Sequence, residues 1–154
     1  NNKKKKNNMN NFFSGIKQIE YAYPDMIKIE HNEILVQGCY VTVSGIFTTI
    51  CIEGLASVEY ESKKVSDQDI YTTKLIFRHG KQKVYPYNIE NILLNKNLVY
   101  RLTDITGKQY LLGINKDPFP AATVRRVNPN TPTDANISEY EVTYTNIFAL
   151  LEIV

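Results

Sequence analysis

Tryptophan is missing from this 154-residue chain, and cysteine, histidine and methionine occur only twice each. Each shortage removes a class of chemistry. A protein-built metal centre takes three or four ligands at characteristic spacing. Cys39, Cys51, His31 and His79 supply neither a CxxC pair nor a histidine pair. His31 and Glu33 lie two apart and share one strand face, but no third ligand is near them in sequence. No metal site and no cofactor is expected. Nucleophilic catalysis needs a nucleophile and a base held together. Pairing Cys39 or Cys51 with His31 is conceivable but nothing in the sequence shows them close, and neither Ser14-Gly15 nor Ser44-Gly45 belongs to a G-x-S-x-G elbow. The phosphate-cradling glycine patterns, P-loop and G-x-G-x-x-G, do not occur. No apolar run approaches the roughly 20 residues of a membrane-crossing helix, so no membrane role is expected. Both cysteines sit in apolar runs and read as buried free thiols, as in a reducing cytoplasm.

Charge is nearly balanced, at +2. Four of the 18 basic residues form one block, Lys3–Lys6, and without them the 16 acidic residues are in excess. A chain with an acidic body has no electrostatic footprint for nucleic acid. Residues 1–11, NNKKKKNNMNN, cannot pack and read as a solvated tail or arm, with Met9 a candidate native start. Phe12, Phe13 and Ile16 follow at near-helical spacing and suggest a short anchoring turn. Residues 12–154 read as one domain, 43% hydrophobic and 22% charged over the whole chain, which is ordinary for a folded body.

What is abundant is strand. Candidates run Lys17–Tyr23, Met26–His31, Glu33–Gln37, Cys39–Val43, Phe47–Ile52, Ala56–Glu61, Asp69–Arg78, Val84–Tyr85, Leu98–Thr103, Lys108–Leu112, Ala122–Val127, Ser138–Thr145 and Ala149–Val154. Tyr140, Val142 and Tyr144 alternate with Glu139, Glu141, Thr143 and Thr145, the period of a strand wet on one face. Ser62–Asp69 reads as a polar connection, and Asn128–Asn136 as an exposed Pro/Asn/Thr loop. One segment, Tyr87–Asn97, has the apolar stripe of a helix, with Pro86 before it and Asn88 as the N-cap. The expected fold is mainly β: an antiparallel sandwich or barrel carrying one short helix.

Eleven tyrosines raise the question of a base-stacking platform. Tyr60, Tyr100, Tyr140 and Tyr144 fall on apolar strand faces, so core packing explains them better. The carboxylates Glu59, Glu61, Asp67 and Asp69 flank a loop and read as solvated rather than as a glycosidase pair. The clearest local signal is Leu98–Leu112, a hairpin around Asp104-Ile-Thr-Gly107. Asp104 is placed to bond the backbone two residues on, and Gly107 to supply positive φ. Gly113, Asn115 and Pro118-Phe119-Pro120 then end the strand and stiffen the exit.

That hairpin, RLTDITGKQYLLG (Arg101–Gly113) before a proline-bearing exit, occurs in order with IKQIEY (Ile16–Tyr21), YTTKLIF (Tyr71–Phe77) and a closing FALLEIV. Together they resemble a family of small β-rich virion proteins of Bacteroidales phages and prophages. The Asn-, Lys-, Ile- and Tyr-rich composition suits crAss-like phages. The resemblance implies a non-enzymatic structural subunit of the neck or tail, made in the bacterial host cytoplasm and residing in the virion. Its partners would be other virion proteins and copies of itself in a ring, and it carries over no catalytic residue and no cofactor. Candidate assembly contacts are Phe12 and Phe13 on the arm, Pro118 and Phe119 at the hairpin exit, and Asn130 in the long loop. The alternative is a β-sandwich module binding a glycan or other small ligand.

Overall fold

The computed structural model describes residues 11–31, 40–80, 88–127 and 137–154. The strands are β1 (Asn11–Ala22), β2 (Ile27–His31), β3 (Tyr40–Gly45), β4 (Thr48–Ile50), β5 (Ala56–Val65), β6 (Gln68–Gly80), β7 (Val99–Asp104), β8 (Gln109–Leu112), β9 (Ala121–Val127), β10 (Ile137–Asn146) and β11 (Leu151–Ile153). A 3-10 turn, Pro24–Met26, joins β1 to β2, and α1 spans Ile89–Asn95. All eleven strands belong to one sheet in the order β2-β3-β11-β8-β7-β1-β5-β6-β10-β9, with β4 paired to β1. The fold is mainly β with one short helix, as the alternating pattern requires. The expected tail at residues 1–10, the strands Glu33–Gln37 and Val84–Tyr85, and the loop Asn128–Asn136 with Asn130 lie outside the described residues.

β1 organises the sheet. On one side it pairs with β7 from Ile16 to Ala22. On the other it meets β5 over Asn11–Ile16 and then β4 over Ile19–Tyr21. β4 and β5 therefore act as one interrupted neighbour, and residues 51–55 loop out between them. Register shifts between Ser14 and Ile16 against β5, and between Ile16 and Gln18 against β7, mark bulges that bend the strand. Phe12 and Phe13 lie in β1 opposite Glu59 and Val58. This corrects the expectation of a helical anchoring turn: strand pairing with β5 decides their conformation, and near-helical spacing of three apolar residues is a weaker constraint.

The main core lies where the sheet folds over α1. β10 shows the cause most plainly: Tyr140, Val142 and Tyr144 are buried while the residues between them are half-exposed or exposed. Phe77 of β6 stacks on Tyr140 with ring centroids 5.3 Å apart. Tyr100, Leu102, Leu112, Ile19 and Leu75 complete the packing. Each such side chain contributes about 1.5–3 kcal/mol through burial. Burial pushes the phenol of Tyr100 well above its ordinary pKa, so it stays neutral. Ile89 and Leu93 seat α1 on this core.

A second cluster occupies the other face of β7 and β8: Val99, Leu111, Ala22, Ile27, Val41 and Leu151. β7 is thus buried on both faces over much of its length, with Val99 and Tyr100 both excluded from water. The alternation of Leu98, Tyr100 and Leu102 with Val99, Arg101 and Thr103 marks two unequal faces, and side chains of β2, β3 and β11 pack on the second of them. β11 pairs parallel with β3 and antiparallel with β8, so the sheet is not wholly antiparallel.

Three further expectations are corrected. The polar stretch Ser62–Asp69 is not a loose connection but the tip of the β5–β6 hairpin, paired through Val65 and Gln68. Ser66 and Asp67 adopt φ of 49° and 63°, the left-handed pair of a two-residue hairpin turn, which lets polar strands continue to the tip. The helix is shorter than the expected Tyr87–Asn97. Asn88 is at its N-cap position, but its φ of 57° is left-handed and its side chain makes no capping bond. The Phe47–Ile52 strand contracts to β4, because residues 51–55 leave β1 to meet the end of β6.

Candidate assembly surface

Among the described residues no group of three His, Cys, Asp or Glu side chains is placed to hold a metal ion. No described helix is long and apolar enough to cross a membrane. His79 is buried, and its Nδ1 lies 2.6 Å from the Cys51 carbonyl oxygen. A carbonyl only accepts, so Nδ1 carries the proton and fastens the loop at residues 51–55 to β6. The backbone N–H of Glu53 donates to the Arg78 carbonyl at 2.7 Å alongside. The ring of His79 is thereby engaged by the Cys51 backbone. Cys39 and Glu33 lie outside the described residues, and so does the side chain of His31.

Two charged arrangements stand out among the described residues. On the face of β1 and β7 away from the main core, Glu20 is nearly buried. Its carboxylate accepts from Arg101 Nε at 3.0 Å, from Arg101 Nη2, and from Gln18 Nε2 at 3.0 Å. The Arg101 guanidinium also lies 4.0 Å from the centroid of the Phe47 ring. A carboxylate here is fully occupied by its neighbours, so the cluster joins β1, β7 and the segment before β4 rather than offering a ligand site. On the outer face of β6, β10 and β9, Lys74 pairs with Glu141 at 3.7 Å and Arg125 with Glu139 at 2.7 Å. Depressions of about 80 Å³ (Glu59, Tyr60, Glu61, Thr72, Lys74) and about 280 Å³ (Ile76, Thr123, Val124, Arg125, Glu139, Glu141) lie on this half of the sheet. The first is small beside ligand pockets of about 300–1,000 Å³, and the second lies near the lower end of that range. Glu59 and Glu61 line the first, while Asp67 is in the hairpin turn and Asp69 stands opposite Lys64; they do not form one carboxylate pair.

Exposed segments lie beyond the two ends of β1. At its start, β5 runs past Asn11, where its pairing with β1 ends at Tyr60. β6 runs past the end of its pairing with β10, at Tyr71. From Glu61 to Asp69 every residue is exposed. This arm pairs only with itself among the described residues. Val65, 51% exposed, shares a face with Lys63 and with Ile70, which stands opposite Lys63.

At the other end of β1, the turn after Ala22 and the β3–β4 connection carry three exposed apolar side chains: Tyr23, Met26 (60% exposed) and Ile46 (73%). The two segments are joined, with the Ile46 N–H donating to the Met26 carbonyl at 3.4 Å. Gly45 makes that approach possible. Its φ is +136°, and a Cβ there would stand 2.3 Å from the Met26 carbonyl oxygen. Asp25 is exposed between Tyr23 and Met26.

The expected contact residues lie in other parts of the chain. Phe12 and Phe13 belong to the sheet and do not form a separate arm. Pro118 is exposed and Phe119 half-buried in the segment between β8 and β9. Asn130 lies outside the described residues. Tyr23, Met26, Ile46, Val65 and Ile70 were not singled out by sequence pattern. The turn signals Tyr23-Pro24-Asp25 and Ser44-Gly45 mark where two of these segments bend, but only the fold shows that they meet.

Comparison with family models, with curated proteins and with solved structures finds no match.

Proposed function

We propose that this protein is a non-enzymatic structural subunit of a phage particle, a ring or tube component of the neck or tail that works through repeated protein–protein contacts. The observation that supports this reading is the self-paired β5–β6 arm, exposed from Glu61 to Asp69. A two-stranded hairpin is marginal alone in water, and this one buries nothing of its own. Such an element contributes when a neighbour covers it. The resemblance of the Arg101–Gly113 hairpin and its flanking segments to virion proteins adds the setting. Mass spectrometry and image reconstruction of purified particles from a phage encoding this chain test the proposal. The chain is expected in many symmetric copies per particle, and its absence from the particle would overturn the assignment.

A further inference from the structure

We infer that the β5–β6 arm of one subunit docks on the Tyr23–Met26–Ile46 end of a second copy of this chain, so that copies join head to tail. The inference rests on the structural-subunit reading and supplies the contact that such a subunit would use. Three observations lead to it.

The first is direction. β5 moves from Ala56, opposite Ile16, to Tyr60, opposite Asn11, and then onward to Val65. The arm therefore grows away from the Ala22 end of β1, where Tyr23, Met26 and Ile46 are exposed. Twelve residues of β1 separate the arm's root from that end. The arm itself advances only about five residues, or about 16 Å at about 3.3 Å per residue. It cannot fold back onto its own apolar end, so any contact between the two is made by different molecules.

The second is chemical fit. Val65 and Ile70 give one arm face an apolar character; on that face Lys63 lies nearer the tip and Glu61 nearer the root. The receiving end presents three exposed apolar side chains, with Asp25 exposed in the same turn as Tyr23 and Met26. Apolar meets apolar, and a cation meets an anion, which sets orientation as well as attraction.

The third is symmetry. The two surfaces are different patches on one molecule. Contact between unlike patches is heterologous and repeats, closing a ring when the rotation permits and extending a filament when it does not. A two-fold dimer would instead match one patch with itself.

The test uses the whole chain and two variants. The arm variant carries Lys63→Glu, Val65→Asp and Ile70→Asp. The end variant carries Met26→Asp and Ile46→Asp. Circular dichroism and thermal melting establish that each remains folded; a variant that unfolds is replaced by the milder Val65→Ser or Ile46→Ser. Sedimentation velocity across a concentration series then reads assembly. The parent chain is expected to form species larger than a dimer. Each variant is expected to associate at least about tenfold more weakly, the size of effect that central contact residues show. The equimolar mixture of the two variants is decisive. Each retains the surface the other lacks, so it should form a one-to-one dimer and nothing larger.

A mixture that stays monomeric overturns the inference. So does an arm variant that assembles like the parent, an end variant that does so, or a parent chain that is monomeric at millimolar concentration. These outcomes differ from failure of the virion assignment. A chain found in purified particles but monomeric in solution loses only the head-to-tail contact. A chain that assembles as described but is absent from particles loses only the setting.

Discussion

Replacing Arg101 by Met is expected to cost about 2–3 kcal/mol of folding stability. Met keeps most of the side-chain length and removes the guanidinium. The Glu20 side chain is only 9% exposed and takes two bonds from Arg101 and one from Gln18. After the substitution, Gln18 alone serves a carboxylate that water reaches poorly. Breaking a fully buried ion pair by removing one partner costs about 3–5 kcal/mol. The Arg101 side chain is 24% exposed, so water enters its vacated place and reduces that figure. Loss of the guanidinium from the Phe47 ring adds about 1 kcal/mol. The double substitution Glu20→Gln with Arg101→Met removes both charges and leaves Gln18 a neutral amide to bond. It should cost about 1 kcal/mol or less, so the two sites couple by about 1–2 kcal/mol. Urea unfolding at neutral pH measures all four corners of the cycle. With a slope of about 1–3 kcal/mol per molar urea, the single Arg101 change should lower the midpoint by about 1 M or more. A midpoint that stays with the parent, or a double variant no more stable than Arg101→Met alone, would refute the view that Glu20 depends on this cation.

Three other changes probe separate features. Gly107 has φ of +90° with nothing within 4 Å of a Cβ built there, so Gly107→Val should cost about 1–3 kcal/mol through backbone strain alone, and an unchanged denaturation midpoint would sink that account. Thr73 Oγ1 is buried without a hydrogen-bond partner; Thr73→Val should raise stability by about 1 kcal/mol, and a clear drop in thermal midpoint would show that the hydroxyl is needed. Asp104 accepts bonds from the Thr106 hydroxyl and from the backbone of Thr106 and Lys108, which hold its carboxyl below the usual pKa. A depressed folded-state pKa gives stability that is complete at neutral pH and lost as pH falls through the folded value. The advantage of the parent over Asp104→Asn should therefore be constant near neutrality and shrink below about pH 4; an advantage that persists in strong acid contradicts this.

Local chemistry made part of the fold legible. The Asp104–Gly107 turn reads directly, because a carboxylate that bonds the backbone two residues on and a glycine with positive φ are requirements of the turn itself. The alternation in β10 also reads directly, because one face of that strand meets the core and the other meets charged neighbours. Long-range pairing was not legible. Val99 and Leu111 look like residues of a hairpin with two unequal faces, and they are buried by strands far away in the chain. Ser62–Asp69 looks like a loop by composition, because polar residues extend an arm as readily as they form a connection. The register of β5 on β6 makes the difference. The surfaces proposed for assembly escaped for the same reason. Met26 and Ile46 are ordinary apolar residues next to turn signals, and only the fold brings their segments together and leaves them uncovered. Phe12 and Phe13, the most conspicuous pair in sequence, are strand residues.

The position of β11 has a consequence for synthesis. β2 and β3 reach the rest of the sheet through β11, which lies between β3 and β8. Translation proceeds at about 5–20 residues per second, so the ribosome needs on the order of ten seconds to pass from Gly45 to Ile153. During that interval the β2–β3 hairpin has emerged but its docking strand has not been made. Until then it lacks its hydrogen-bonded neighbour, and Ile27 and Val41 have Ala22, Val99 and Leu111 but not Leu151 to pack against, while the β5–β6 and β7–β8 hairpins form from neighbours already at hand. The nascent chain is thus exposed to mispairing at its early end until nearly all of these strands are complete, and slowing the decoding of residues after β10 should lengthen that vulnerable period.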